Sequence, residues 1–220
     1  MNATLHTRSG RRAGTTLVEV LIVMAILGLV LGSVSMMGLA SDRAFRTGST
    51  AAHLEAQAVA TTERVVVDLR TASLQFLTLE PDPEHGFIST LAYIQALDLV
   101  AGEVQWSGLR HLAFEYEAGE VDDGLDNNGN GLRDEGLLVL IEESGTPEER
   151  RRVLTRWVRE HLAGELPNDI DDNANGLVDE KGFVTELVGE SLVIRLTLER
   201  LDADGRLLTR STETSARLRN

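Results

Sequence analysis

The sequence contains no cysteine among its 220 residues. Disulfide bonds, zinc sites built from thiolates and cysteine nucleophiles are therefore excluded. The absence alone does not fix the compartment in which the protein works.

Basic residues are also scarce, since 21 lysines and arginines stand against 35 aspartates and glutamates, for a formal net charge of −14. Binding to nucleic acid through phosphates requires a basic surface, so this balance argues against nucleic acid as a partner. The basic residues are unevenly placed. Arg8, Arg11 and Arg12 precede the first acid of the chain, and nearly all acids follow Ala40.

Motifs of catalysis are missing as well. The chain has no HExxH spacing, no GxSxG elbow and no phosphate-binding glycine loop. We therefore expect that the protein is not an enzyme. Its histidines stand apart in sequence and are expected to be surface or packing residues: His6, His53, His85, His111 and His161.

The chain does have a long apolar run, GTTLVEVLIVMAILGLVLGSV, at residues 14–34. From Thr15 to Ala40 only Glu19 is charged, and a helix of this length spans about 39 Å, more than a hydrocarbon core of about 30 Å. The preceding basic residues place the N-terminus in the cytoplasm and the acidic remainder outside. A charge in hydrocarbon costs about 2.5–3.5 kcal/mol on insertion scales, so Glu19 calls for a function.

Three simple interpretations leave part of this pattern unexplained. A secretory signal peptide has a shorter apolar region that is followed by a cleavage site. Arg11 and Arg12 suggest a twin-arginine export signal, but Glu19 inside the apolar core argues against one. A plain membrane anchor accounts for the length of the run and not for Glu19.

The basic leader, Gly14, Thr15 and Glu19 as the fifth residue after the glycine together resemble the prepilin signature of type IV pilins and type II secretion pseudopilins. The resemblance implies that a prepilin peptidase cuts between Gly14 and Thr15 and that the new amino group is methylated. The family usually has Phe at the first mature position, so Thr15 is a departure that bears on methylation rather than on cleavage. The implied partners are the peptidase, other pilins or pseudopilins of the filament, and the inner membrane.

Cleavage would also explain Glu19. The ammonium of Thr15 lies one helical turn away, and in a filament core Glu19 of one subunit can meet the Thr15 amine of another. Pairing removes the cost of leaving either charge alone, and a wrong axial register leaves both unpaired. We therefore expect Glu19 to set the register of assembly.

The remaining pattern predicts an α+β fold, in which a long N-terminal transmembrane helix packs on an antiparallel β-sheet. Apolar residues continue at helical spacing after the membrane segment, with two separate helices joined at Gly48 as the alternative. These residues are Leu54, Ala58, Val65, Val66 and Leu69.

Alternating or apolar stretches predict strands at SLQFLTLE, LRHLAFEYE and GLLVLIEE, and a hairpin over SLVIRLTLERLDADGRLLTRSTETSARLRN with DADG as its turn. The segment TPEERRRVLTRWVREHL predicts a helix, with Thr146 as cap and Leu154, Trp157, Val158 and Leu162 as its apolar stripe. The pairing of LAFEYE with IRLTLE and the terminal TSARLRN resembles the J-type minor pseudopilins of type II secretion.

These assignments divide the chain into a cleaved leader at residues 1–14, a transmembrane and assembly helix at 15–40, and a periplasmic pilin-like domain at 41–220. An insertion is predicted at about 120–182. The resulting protein crosses the inner membrane once, with a cytoplasmic N-terminus and a periplasmic C-terminal domain.

An internal repeat lies within this insertion. DNNGNGLRDEG begins at Asp126 and DDNANGLVDEKG begins at Asp171. Oxygen side chains at positions one, three and five with glycine at six resemble the first half of an EF-hand loop, because alternate side chains converge on one point. Asx-rich turns without metal are the alternative, but the second copy favours calcium. The predicted ligands are Asp126, Asn128, Asn130, Leu132, Asp134, Glu135, Asp171, Asn173, Asn175, Leu177, Asp179 and Glu180.

Two classes of function remain open at this point. The first is a minor pseudopilin or pilin that initiates or caps a short filament of a secretion or pilus system. The second is a membrane-tethered, calcium-dependent binding module of the envelope that takes no part in a filament. Cleavage after Gly14 separates them, because a tether needs neither Glu19 nor a new amine.

Overall fold

A computed structural model describes residues 16–218 of the chain. Gly14, Thr15 and the rest of the predicted leader lie outside the described residues. The chain divides into two compact units, of which the first ends at Phe45 and the second begins at Arg46.

Helix α1 extends over Leu17–Leu69 and includes Gly48, so the prediction of one continuous helix is confirmed. In the first unit, every described side chain is exposed. Among the described residues, α1 is the one helix long and apolar enough to cross a membrane. Such a helix satisfies its backbone hydrogen bonds internally, which a segment in lipid requires.

In the second unit α1 buries one face. Its buried residues include all five apolar positions that the helical spacing predicted. Two threonines lie on the same face and are accommodated because their hydroxyls donate to carbonyls one turn earlier, Thr61 to Gln57 at 2.8 Å and Thr62 to Ala58 at 3.2 Å.

Among the described residues, a short 3₁₀ turn at Leu74–Phe76 and ten strands follow α1. The strands are β1 Thr78–Pro81, β2 Ile88–Tyr93, β3 Ala96–Val100, β4 Glu103–Trp106, β5 Arg110–Tyr116, β6 Gly136–Glu142, β7 Arg150–Val158, β8 Phe183–Val188, β9 Ser191–Leu201 and β10 Leu207–Arg217.

Eight strands form one antiparallel sheet in the order β1-β2-β5-β6-β7-β9-β10, and β8 pairs with both β2 and β9. The hydrogen-bonded path β2-β5-β6-β7-β9-β8 therefore returns to its starting strand. Two of the strand pairings in this path consist of a single residue pair each. Val158 of β7 pairs with Leu198 of β9, and Ile88 of β2 pairs with Thr185 of β8. Strands β3 and β4 form a separate hairpin.

The main hydrophobic core lies between α1 and one face of the sheet, and includes Leu69, Leu112, Leu138 and Phe183. The alternation of side chains along a strand sends the next residue of β8, Val184, into a second, smaller cluster with Phe87 and Leu162. The fold is thus a helix packed on an antiparallel sheet, as the α+β prediction required.

A charged network joins the end of α1 to the sheet. The carboxylate of Asp68 accepts hydrogen bonds from the Tyr93 hydroxyl and from Arg110 Nη1, the latter at 2.7 Å. Arg110 Nη2 also donates to Glu142 on β6. One guanidinium therefore holds a helix carboxylate and a strand carboxylate together.

Three of the predicted strand regions are confirmed, at β5, β6 and the β9–β10 hairpin, whose turn lies at residues 202–206. The first predicted strand is only partly correct. SLQFLTLE begins with the 3₁₀ turn, and pairing with β2 starts at Thr78.

The predicted helix at TPEERRRVLTRWVREHL is wrong, because Arg150–Val158 forms β7 and pairs with β6. Thr146 does accept the N–H of Glu148 at 3.2 Å, but it does so within a hairpin turn. Arg151 then reaches across β6 to Glu115 at 2.6 Å, a contact that helical spacing would not place. The segment 120–182 thus contributes β6 and β7 to the sheet, and its status as an insertion stays a prediction.

Candidate functional site

The two repeated segments form loops that follow strands β5 and β7. We call residues 126–135 loop 1 and residues 171–180 loop 2. Both begin with an aspartate whose carboxylate accepts backbone N–H groups of the turn that follows it. Asp126 accepts the N–H groups of Asn130 at 3.1 Å and Gly131 at 2.8 Å. Asp171 accepts those of Asn175 and Gly176 at the same distances.

The asparagines at positions three and five also match. The side-chain oxygens of Asn128 and Asn173 accept the N–H of the residue two further on, each at 3.0 Å. The amide nitrogens at position five, on Asn130 and Asn175, donate to Oε1 of the glutamate at position ten of the same loop. The two loops therefore resemble each other in hydrogen bonding as well as in sequence.

The glutamates at position ten are fully buried and only half satisfied. Glu135 and Glu180 are each 0% exposed. Four buried side-chain atoms in residues 16–218 lack a hydrogen-bond partner, and Oε2 of Glu135 and Oε2 of Glu180 are two of them. A buried carboxylate oxygen without a partner is costly, so the same orphan at the same place in both loops makes each glutamate a candidate cation ligand.

Electrostatics point the same way at loop 2. Burial raises the pKa of Glu180, and the charges of Glu165 and Asp171 raise it further, whereas the hydrogen bond from Asn175 lowers it. Three carboxylates thus lie within electrostatic reach of one another. A cation among them would offset both the burial and the repulsion.

The leucines at position seven are predicted ligands whose side chains have different surroundings from the polar residues of the loops. Leu177 packs on Phe87, Leu162 and Val184, and Leu132 is 4% exposed. The side chain of Leu177 therefore has a packing function of its own.

The aspartates at position nine lie in different surroundings from the glutamates beside them. Asp134 accepts the N–H of Gly124 at 2.6 Å, and one of its oxygens lies within 4.8 Å of carboxylate oxygens of Asp122 and Glu160. Lys181 offsets part of the negative charge of this group, because its ammonium lies 3.3 Å from Asp122 and 3.2 Å from Glu160.

Asp179 occupies the equivalent place in loop 2. It accepts the N–H groups of Asn168 at 3.3 Å and Asp169 at 2.9 Å. His85 lies alongside, with Nε2 at 3.3 Å from Asp169 and 3.8 Å from Asp179. The hydrogen bond with Asp169 is the main reason that the pKa of His85 is raised. No sequence motif links His85 to loop 2, since 84 residues separate it from Asp169.

Two buried acids of this region are not among the predicted ligands. Glu120 is 6% exposed and accepts the N–H groups of Asn128 at 2.7 Å and Asp134 at 3.2 Å. Glu165 is 1% exposed and binds the equivalent groups of loop 2, at 2.9 Å and 3.2 Å. The signal was present, because both glutamates precede their loop's first aspartate by six residues.

A cleft of about 460 Å³ lies beside loop 1, and Glu199 of β9 forms part of its wall. Glu199 is 5% exposed, and burial raises its pKa to about 7. Arg159, whose Nε lies 3.4 Å away, opposes this shift, while the charges of Glu135 and Glu160 add to it.

At the other end of the chain, Glu19 lies in the first turn of α1, where its N–H donates to Thr16 Oγ1 at 3.3 Å. Its side chain is exposed, like those of the apolar residues around it. The predicted processing residues Gly14 and Thr15 lie outside the described residues. Within residues 16–40, Glu19 is thus the only acid, on a part of α1 whose described side chains are all exposed.

Residues 9–35 match the family model of the prokaryotic N-terminal methylation motif. The match includes Gly14, Thr15 and Glu19, which the sequence pattern singled out, and it indicates a type IV pilin-like precursor. Comparison with curated proteins and with solved structures finds no match. The methylation motif and the single apolar helix fit a protein anchored in the inner membrane.

Proposed function

We propose that the chain is a minor pseudopilin or pilin, which acts in the initiation or at the tip of a type II secretion or type IV pilus-like filament. The methylation motif over residues 9–35 carries this proposal. The narrower role rests on the resemblance of the sequence to J-type minor pseudopilins. In the structure β5 pairs with β2 and β6, whereas β9 pairs with β7, β8 and β10. Prepilin peptidase and the other subunits of the filament are the proposed partners.

The exposure of the first unit of α1 supports the same function. A helix with only apolar exposed residues would suffice for an anchor. The exposed residues of this helix include Glu19, which lies close to the predicted processing site. A carboxylate there is costly until it meets a positive charge, and cleavage after Gly14 creates one at Thr15. The alternative, a calcium-dependent module that is merely tethered, leaves both residues without a purpose.

Processing tests the proposal directly. Co-expression with a prepilin peptidase should yield a chain that begins at Thr15, as read by mass spectrometry of the intact protein. Gly14→Leu should block the cut because the peptidase requires a small residue there, whereas Gly10→Leu in the same leader should not. An intact leader on the wild-type chain in its native host would refute the proposal.

The role of Glu19 in register has its own test. Glu19→Ala should leave insertion into the membrane unchanged but reduce the recovery of partner subunits in pull-downs from membranes. Glu63→Ala, on an exposed position of the same helix, is the matched control. Equal recovery of partners with Glu19→Ala and wild type would show that the carboxylate is dispensable.

We propose further that loops 1 and 2 bind calcium. Hard oxygen ligands argue against zinc and copper, and magnesium demands stricter octahedral geometry. A ligand that binds only the folded state stabilises it by about 2.7 kcal/mol at a hundredfold excess over its Kd. Calcium should therefore raise the Tm of the detergent-solubilised protein more than magnesium does.

Asp126→Ala and Asp171→Ala should each remove part of the calcium-dependent rise in Tm. Glu103→Ala, an exposed acid of β4, should leave the rise intact. Absence of both binding heat and thermal shift after treatment with a chelator would refute the calcium proposal and leave the assembly proposal standing.

A further inference from the structure

The orphaned carboxylate oxygens of loops 1 and 2 occur once in each loop. Glu135 Oε2 and Glu180 Oε2 are buried without a hydrogen-bond partner, although Oε1 of each residue is bound by a side-chain amide of its own loop. One ion shared by the loops would satisfy such an orphan in one loop or bridge the two. The hydrogen bonds that repeat at positions one, three, five and ten instead give each loop a complete site.

The hydrogen-bond partners of positions nine and ten show which of the two faces the interior of the loop. At loop 2, Glu180 accepts the side-chain amide of Asn175 inside the loop. Asp179 instead accepts the N–H groups of residues 168 and 169, which precede the loop. At loop 1, Glu135 likewise accepts the side-chain amide of Asn130, whereas Asp134 accepts the N–H groups of residues 123 and 124. Positions nine and ten therefore point to different surroundings, and the ion belongs with position ten.

Glu120 and Glu165 have a different function. Both oxygens of Glu165 accept backbone N–H groups, one from position three and one from position nine of loop 2. Glu120 binds the same two positions of loop 1. These glutamates join the beginning of each loop to its end with hydrogen bonds that need no ion.

We infer that each loop binds one divalent cation of its own, with Glu135 and Glu180 as the terminal acidic ligands and Glu120 and Glu165 as positioning residues. Asp126 and Asp171 with the asparagines at positions three and five complete each set. The aspartates at position nine, Asp134 and Asp179, are not ligands. The assignment rests on the proposed calcium function and revises the ligand set that the sequence predicted.

Stoichiometry tests the assignment on the full chain in detergent, by equilibrium dialysis against calcium followed by elemental analysis. Wild type should retain two ions per chain. Glu135→Gln and Glu180→Gln should each retain one, and the double variant none. Asp134→Asn and Asp179→Asn, the matched controls one residue away, should retain two.

Thermal melting in chelator separates ligands from positioning residues. Without calcium, Glu135→Gln should melt no lower than wild type, because the substitution removes a buried and unpaired charge. Glu120→Gln should melt about 2–4 °C lower, because it weakens two hydrogen bonds that exist without an ion, yet it should retain two ions at saturating calcium. If Glu135→Gln fails to fold, Glu135→Asp keeps the charge while withdrawing it from the site, and it should retain one ion.

The outcomes distinguish this assignment from the proposal beneath it. Wild-type protein that binds no calcium overturns both. Wild-type protein that binds a single ion, or an ion lost in Asp134→Asn and kept in Glu135→Gln, overturns only the assignment.

Discussion

Glu199→Gln should change the dependence of stability on pH. Glu199 is 5% exposed on β9, and its pKa is raised from 4.5 to about 7, chiefly by burial. Between those two pH values the folded protein holds the proton more tightly than the unfolded chain does. The stability that this proton contributes is fully present below pH 4.5 and is lost as the pH rises through 7.

The size of the effect follows from the shift. At roughly 1.4 kcal/mol for each pH unit, a rise from 4.5 to about 7 corresponds to about 3 kcal/mol. A glutamine side chain cannot ionise, so the Glu199→Gln variant escapes this loss. The variant should therefore be more stable than wild type at pH 8, and this advantage in the free energy of unfolding should be about 3 kcal/mol larger at pH 8 than at pH 4.5. For a chain of this size, the difference corresponds to about 6–12 °C in Tm.

The assay is thermal unfolding of both proteins at pH 4.5 and pH 8 in the presence of a chelator, so that calcium binding does not enter. Other carboxylates titrate in both proteins and cancel in the comparison. Glu103→Gln, on exposed β4, should show no such difference. An equal Tm difference between Glu199→Gln and wild type at the two pH values would refute the reasoning.

Three further substitutions test the contacts of the sheet and of α1. Gly182→Ala should destabilise the protein by about 1–3 kcal/mol, because its Cβ would collide with the Arg159 carbonyl oxygen, whereas Gly48→Ala on the open face of α1 should stabilise it slightly; equal melting temperatures for the two variants would contradict this. Arg110→Met should cost about 2 kcal/mol in urea unfolding, since it leaves Asp68 and Glu142 without their shared cation. An unchanged urea midpoint for Arg110→Met would show that water already satisfies both carboxylates.

The parts of the fold that the sequence predicts well are those whose local pattern agrees with the tertiary structure. The alternation in β9 and β10 survives because the two strands pair along their whole length, from Leu201 with Leu207 to Ser191 with Arg217. The buried face of α1 likewise follows from spacing alone. In both cases the periodicity of the apolar residues predicts which face of the element is buried.

The failure at β7 has the opposite cause. The arginines and glutamates of residues 146–162 are typical of a helical surface, and Thr146 and Pro147 are typical of a helix start. The strand forms because β6 offers a partner and because Arg151 and Arg156 find Glu115 and Glu117 across the sheet. Contacts of this kind depend on residues that are 36 and 39 positions away, which local propensity does not contain.

The candidate site could be predicted from the sequence in part. The loops were visible as a repeat, and Glu120 and Glu165 could have been found by extending the comparison six residues further back. The direction of Asp134 could not, because its partners Asp122 and Glu160 come together only when β5 and β7 lie in the same sheet.

The residue after position ten distinguishes the two copies. In loop 1 it is Gly136, where an added Cβ would lie 2.5 Å from the Glu115 carbonyl oxygen. In loop 2 it is Lys181, which donates to the Tyr116 hydroxyl at 2.6 Å and binds Asp122, in the segment that leads into loop 1. The copies are therefore no longer interchangeable modules. Exchanging the two segments would force a lysine against the backbone of β5 and remove the Lys181 ammonium that links loop 2 to the residues before loop 1, so we expect the exchanged chain to be less stable than wild type.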